Sequence, residues 1–277
     1  MSDAKPLPVF NNRHLRFVFV AFLFSAAIAD VGRASVKVFT HFPFFFPAAT
    51  HLAVAFVAIS TSWVYWARNI GDGPQLKDIF SREYLLLVLD LLLVILYIGV
   101  AETVELPAEP MPQPSAVPES LLLALAYFVY FVWDLVHDVW SRRANLAPPA
   151  AEPGDEAGLV ERAEAAERAT FGQTVKAAAI RSAASLFCCL LALVIVTVAR
   201  FYGVRSNAGV CLLNLAELGN LVLFRSLKAV EYQFDASLHP AYREGQDRYA
   251  DVRGRMRVSG ALAALVYVGA LLASRAV

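Results

Sequence analysis

Seven apolar blocks of about 20 residues dominate the chain, and they constrain its fold more than any other feature. They cover residues 17–39, 47–67, 84–104, 119–140, 177–200, 208–227 and 257–275. A helix of about 20 apolar residues spans the hydrocarbon core of a bilayer, which is ~30 Å thick. A soluble helix of this length alternates apolar and polar positions, and these blocks do not. The sequence therefore predicts an all-α fold, a polytopic transmembrane helix bundle of about seven spans with short cytoplasmic helical segments.

Composition supports an integral membrane protein and argues against several functional classes. Hydrophobic residues make up 58% of the chain and charged residues 17%, and the mean hydropathy is +0.54. The formal net charge is zero, so we expect the lipid bilayer as a partner and no nucleic acid. Phosphate-binding, zinc-protease and hydrolase motifs are not found in the sequence, which favours a protein that is not an enzyme and needs no cofactor or metal.

Charge and proline content divide the chain into three parts. Residues 1–140 form an N-terminal four-helix transmembrane part, and residues 177–277 form a C-terminal three-helix part that includes a cytoplasmic segment at 228–256. Between them, residues 141–176 begin with a Pro-rich linker and continue as a charged stretch. Glu164 and Arg168 lie four residues apart there, which favours a helix.

Lysine and arginine residues concentrate in alternate connecting segments. The N-terminus and the segments after the second, fourth and sixth blocks are rich in them, whereas the segment between the third and fourth blocks has none. Positive residues stay on the cytoplasmic side, so we predict a cytoplasmic N-terminus in an inner or plasma membrane of bacterial type. Cysteines introduced at positions 3 and 111 test this orientation. Position 111 should react from outside and position 3 only after permeabilisation, and the reverse pattern would contradict the topology.

Polar residues at membrane depth are the candidate functional residues. Placing an ionisable side chain at the bilayer centre costs ~2.5–3.5 kcal/mol on insertion scales. Such a residue is therefore expected to form an ion pair, to line a water-filled cavity or to serve the function of the protein. Counting along the blocks places six polar residues at one depth, in the cytoplasmic third of the membrane. These residues are Ser60, Ser62, Asp90, Asp134, His137 and Arg181.

A second set lies towards the other side of the membrane. Asp30 and Arg33 share a face of the first block, and Asn214 and Glu217 lie three residues apart on the sixth. Asp30 and Glu217 could face one cavity, with Arg33 as the counter-charge. Alternatively, Asp30 and Arg33 mark the end of a shorter first helix. The sixth block is the shortest and most polar, so a re-entrant segment is an alternative to a sixth span.

Three functions are compatible with these residues. The leading hypothesis is an ion or proton channel or transporter-like protein whose buried carboxylates line a polar path. The competing hypothesis is a non-transporting sensor, scaffold or effector, in which ion pairs only hold the helices together and residues 141–176 and 228–256 bind a cytoplasmic protein partner. A metal site or intramembrane enzyme ranks third. His51 and His137 are interpreted as hydrogen-bonded or solvated, and the three cysteines as small hydrophobic residues.

Self-association is also expected. The cytoplasmic segments carry aromatic residues, and the seventh block is rich in glycine and alanine, which suit close helix packing. We therefore predict a homo-oligomer. A mass measurement in mild detergent and in nanodiscs should give more than one chain, and a monomer mass in both would contradict the prediction.

Overall fold

The computed structural model describes residues 12–40, 44–69, 82–103, 114–145, 182–236 and 254–262, together with residues 264, 265, 268 and 272. These residues form seven helices, and the described part of the chain contains no strand. The first four helices are α1 (Asn12–Thr40), α2 (Phe46–Asn69), α3 (Arg82–Glu102) and α4 (Val117–Asn145). They are followed by α5 (Ser182–Phe201), α6 (Asn207–Ala236) and α7, which is described from residue 254 onwards.

Six of these helices are long and apolar enough to cross a membrane. The chain is therefore a multi-pass integral membrane protein with a helical bundle, which confirms the predicted fold class. The seventh block lies only partly within the described residues, so a seventh span stays a prediction. Two alternatives are wrong: α1 continues past Arg33 to Thr40, and α6 is one continuous helix rather than a re-entrant segment.

The helices pack through small and aromatic residues and leave apolar surface on the outside. Helix α3 packs against α1 and α4, and α2 packs against α1 and α6. Phe224 of α6 contacts Tyr127 of α4, with ring centroids 5.1 Å apart. Large apolar side chains such as Phe22, Ile95 and Val222 are exposed, as expected for surfaces that face lipid.

A tight turn positions α6 against the rest of the bundle. Gly203 has a φ of 61°, a conformation that glycine adopts without steric cost. The N–H of Val204 donates to the carbonyl of Ala199 at 3.2 Å, which closes the end of α5. Ser206 then caps α6, because its hydroxyl accepts the N–H of Gly209 at 3.1 Å.

Helix α6 extends nine residues beyond its predicted end at residue 227 and reaches Ala236. The sequence analysis assigned Lys228 to a cytoplasmic segment, but this side chain is buried, with 4% of the residue exposed. Its ammonium group pairs with a carboxylate inside the bundle. The predicted end at residue 227 was too early because a charged residue stops a run of apolar residues in the sequence, whereas here the charge is paired inside the bundle.

Candidate functional site

Buried polar side chains form a column that runs along the bundle, which we call the polar column. Most belong to α2, α4, α5 and α6, and one belongs to α3. The buried members are His51, Ser62, Asp90, Glu119, Ser120, Asp134, Ser182, Ser185, Asn214, Glu217, Asn220 and Lys228. Their contacts group them at three levels.

The first level is built around His51, near the end of the bundle where α3 ends and α4 begins. His51 Nδ1 lies 2.6 Å from Glu119 Oε2, and His51 Nε2 lies 2.8 Å from the Val100 carbonyl oxygen. Because a carbonyl only accepts, Nε2 carries a hydrogen. The short contact on the other side then holds one further proton, on either His51 or Glu119. In both arrangements the pair is neutral overall.

Glu217 lies beside this pair and is fully buried. Glu119 and Ser120 of α4 are its neighbours, and the Ser120 hydroxyl approaches the Glu217 carboxyl but falls short of good hydrogen-bond geometry. The amide of Asn220 lies 3.5 Å from Glu217 Oε2 and donates to the Cys188 carbonyl at 2.9 Å, which ties α6 to α5. We call His51, Glu119, Ser120, Glu217 and Asn220 the His51 cluster.

Several oxygen atoms around Glu217 have no hydrogen-bond partner within the described residues. They are Glu119 Oε1, Ser120 Oγ, Tyr127 OH, Glu217 Oε1 and Asn220 Oδ1. A buried polar atom without a partner costs about 1–3 kcal/mol. Native interiors contain few such atoms, so a group of five in one region marks a candidate functional site.

A small pocket at this end of the bundle reaches His51. Its lining includes Phe45, Pro47, Ala48, His51, Pro114, Ser115, Val210 and Asn214. Asn214 is held in place because its amide donates to the Pro47 carbonyl at 3.2 Å and to Thr50 Oγ1 at 3.0 Å. The ring of His51 can therefore be approached from this end of the bundle.

The second level is built around Arg225. Its Nε donates to Thr61 Oγ1 at 3.0 Å, and its Nη2 donates to the hydroxyls of Ser62 and Tyr130. Ser62 in turn donates to Tyr97 OH at 2.8 Å. These contacts to Arg225 are made by hydroxyl groups, and within the described residues its buried Nη1 has no hydrogen-bond partner. We call this group the Arg225 cluster.

Tyr127 lies between the first two levels. Its ring is fully packed, and its hydroxyl is within electrostatic range of Glu217, Tyr97 and Arg225. This hydroxyl is one of the five oxygen atoms without a partner among the described residues. Tyr127 therefore lies between the His51 cluster and the Arg225 cluster without a hydrogen bond to either among the described residues.

The third level contains a buried ion pair, which we call the Lys228 pair. Lys228 Nζ lies 2.5 Å from Asp134 Oδ2, and the two side chains are 5% and 9% exposed. Ser185 of α5 donates to the same oxygen at 2.7 Å. Nearby, Trp133 Nε1 donates to Asp90 Oδ1 at 3.1 Å. These contacts join α3, α4, α5 and α6.

The structure brings together part of the sequence-predicted set. Asp90 and Asp134 lie at neighbouring positions, since Asp90 contacts the residue beside Asp134, and Ser62 lies one level away with Arg225. His137 stacks on Trp133, with ring centroids 5.0 Å apart. Arg181, the positive residue that the sequence analysis places at this depth, lies outside the described residues, and the cation found on Asp134 is Lys228.

Other predicted residues lie apart from the polar column. Ser60 contacts the carbonyl of Val57 in its own helix at 3.4 Å. Asp30 pairs with Arg33 at 2.8 Å, and the Arg33 side chain is 75% exposed. Helix α1 packs on α2 and α3, whereas the neighbours of Glu217 described above belong to α4 and α6. The structure thus does not bring Asp30 to Glu217.

Sequence reasoning missed several residues of the polar column. Glu119 stands at the very start of the fourth apolar block and was not singled out as a candidate. It lies in the first turn of α4, where the helix dipole favours a carboxylate. Arg225 and Lys228 were counted with the positive residues after the sixth block. His51 and Glu119 are 68 residues apart, so no local spacing links them.

No group of three His, Cys, Asp or Glu side chains within the described residues could hold a metal ion. Comparisons with protein-family models, with curated proteins and with solved structures found no match to the chain. Functional interpretation therefore rests on the geometry of the polar column.

Proposed function

We propose that this protein is transporter-like and moves a proton or another small cation across the membrane, with the His51 cluster as its binding site. The observation that supports this most strongly is the set of buried oxygens around Glu217. They lie beside His51, which lines a small pocket at one end of the bundle. Ionisable groups held at membrane depth without compensating partners mark ion and proton pathways in membrane proteins.

The two cationic levels favour a transporter with a closed side over an open pore. A cation that has reached Glu217 meets the guanidinium of Arg225 next and then the ammonium of Lys228. Positive groups inside a pore are electrostatic barriers to cations. The Arg225 cluster and the Lys228 pair thus close the path on the side opposite the pocket, and transport requires a rearrangement of these levels.

A non-transporting protein is the second candidate, and one observation favours it. Lys228 neutralises the charge of Asp134, and Ser185 donates a hydrogen bond to the same carboxylate. An ion pair that only holds helices together would have its charges compensated in this way. In that case α6 is fastened to α4 and α5, and residues 141–176 bind a partner on the cytoplasmic side. We retain a cytoplasmic N-terminus and a homo-oligomer as proposals in both versions.

Flux measurements in proteoliposomes test the proposed function. Wild-type protein should move protons or sodium down an imposed gradient faster than protein-free liposomes do. Glu119→Gln should slow this flux by about tenfold or more, equivalent to about 1.4 kcal/mol of barrier, because it removes the carboxylate that shares a proton with His51.

Glu102→Gln is the matched control. Glu102 lies at the same end of the bundle but its side chain is exposed, so its neutralisation should leave the flux unchanged. If the wild type shows no flux above protein-free liposomes under either gradient, the transporter proposal is wrong and the non-transporting alternative stands.

A further inference from the structure

The oxygen atoms around Glu217 share a chemistry that identifies a ligand class. Glu217, Ser120, Tyr127 and Asn220 are each at most 4% exposed, and each has an oxygen atom without a hydrogen-bond partner in the described part of the chain. Glu119 Oε1 adds a fifth such oxygen. Oxygen ligands of this kind, carboxylates with amide and hydroxyl oxygens, are those that hard cations prefer.

Charge balance sets the charge of that ligand. The contact between His51 and Glu119 holds one proton and is neutral overall, as derived above. Glu217 adds one negative charge when ionised, and the neighbours identified for it here carry no positive charge. One monovalent cation neutralises this arrangement as it stands, whereas a divalent ion neutralises it only if the proton between His51 and Glu119 is also released.

A proton is the competing occupant of this site. A proton on Glu217 makes a third donor beside the Ser120 and Tyr127 hydroxyls, with the Glu119 and Asn220 oxygens as acceptors. A small cation instead contacts several of these oxygens at once. The two occupants therefore differ in whether the folded protein responds to sodium at fixed pH.

We propose that Glu119, Ser120, Glu217 and Asn220, with the hydroxyl of Tyr127, form a binding site for a small monovalent hard cation of the sodium type. The inference rests on the proposed function for its role, since it names the ion that a transporter of this kind would carry, but binding itself can be measured without transport. The pocket that His51 and Asn214 line lies on the side of His51 and ends short of these ligands, so entry to the site requires the His51 side chain to move.

Thermal unfolding of the purified full-length chain in nanodiscs tests the site. Sodium chloride is compared with N-methylglucamine chloride at equal ionic strength and fixed pH. A ligand that binds only the folded state raises its stability by mass action, so sodium should raise the wild-type Tm saturably by about 3 °C. Glu217→Gln should abolish this rise, and Glu102→Gln should retain it.

Equilibrium dialysis with radioactive sodium provides a measurement that needs no variant, and it should find one ion per wild-type chain. Equal Tm values in the two salts, with no bound sodium, overturn the proposal. So does a Tm that follows pH alone, which would mean that the cluster holds only a proton. Sodium binding without flux would instead contradict the proposed transport while leaving the site intact.

Discussion

Lys228→Met is expected to lower the free energy of unfolding by about 3–5 kcal/mol, because it leaves the carboxylate of Asp134 buried without its cation. Both side chains are almost fully buried, and Nζ and Oδ2 are 2.5 Å apart. Ser185 continues to donate one hydrogen bond to Asp134, but a hydroxyl does not supply a compensating charge. Thermal unfolding in detergent should show a fall in Tm of about 10 °C for a change of this size.

The double variant Lys228→Met with Asp134→Asn is the control for this effect. It removes both charges, and the new amide still accepts a hydrogen bond from Ser185. Replacing a whole buried ion pair is often neutral, whereas breaking it is costly. The double variant should therefore recover most of the lost Tm. A double variant as unstable as Lys228→Met would show that the positive charge itself, rather than the pairing, is required.

Glu217→Gln is expected to have the opposite profile, with nearly unchanged stability and a loss of flux of about tenfold or more, equivalent to about 1.4 kcal/mol of barrier. Glu217 is buried, one of its oxygens has no partner among the described residues, and its contact to Asn220 is long at 3.5 Å. Glutamine has the same shape as glutamate, so the substitution should change the free energy of unfolding little. It removes the negative charge that a cation or proton needs, so the effect should appear in transport.

Stability and flux are measured on the same preparation of Glu217→Gln. A large fall in Tm, comparable to that of Lys228→Met, would mean that Glu217 holds the helices together and does not serve transport. Glu102→Gln again provides the exposed carboxylate for comparison, and both quantities should match the wild type.

The spans were predictable because bilayer thickness fixes their length independently of tertiary contacts. The end of α6 was not, since Lys228 ends a count of apolar residues, yet its side chain is buried against Asp134 of α4 and the helix continues to Ala236. Counting residues along each block placed Asp90 and Asp134 at one depth, and the contact between Asp90 and Trp133 agrees with that count.

The composition of the polar column was less predictable from the sequence. Depth can be counted along a helix, but the partner of a side chain depends on how helices pack and rotate. Glu119 and His51 meet across α4 and α2, and Arg225 meets Ser62 across α6 and α2. Neither pair has a characteristic spacing in the sequence. A positive residue near the end of an apolar block is equally compatible with a cytoplasmic charge and with a buried one.

The most direct test of the account compares Glu217→Gln with the double variant Lys228→Met and Asp134→Asn in proteoliposomes, at matched protein content and under the same proton or sodium gradient. The central claim is that the His51 cluster serves transport and the Lys228 pair holds the bundle and closes one side. We predict that Glu217→Gln loses the flux while the double variant keeps it or passes more. Flux that survives in Glu217→Gln but disappears in the double variant would contradict the account.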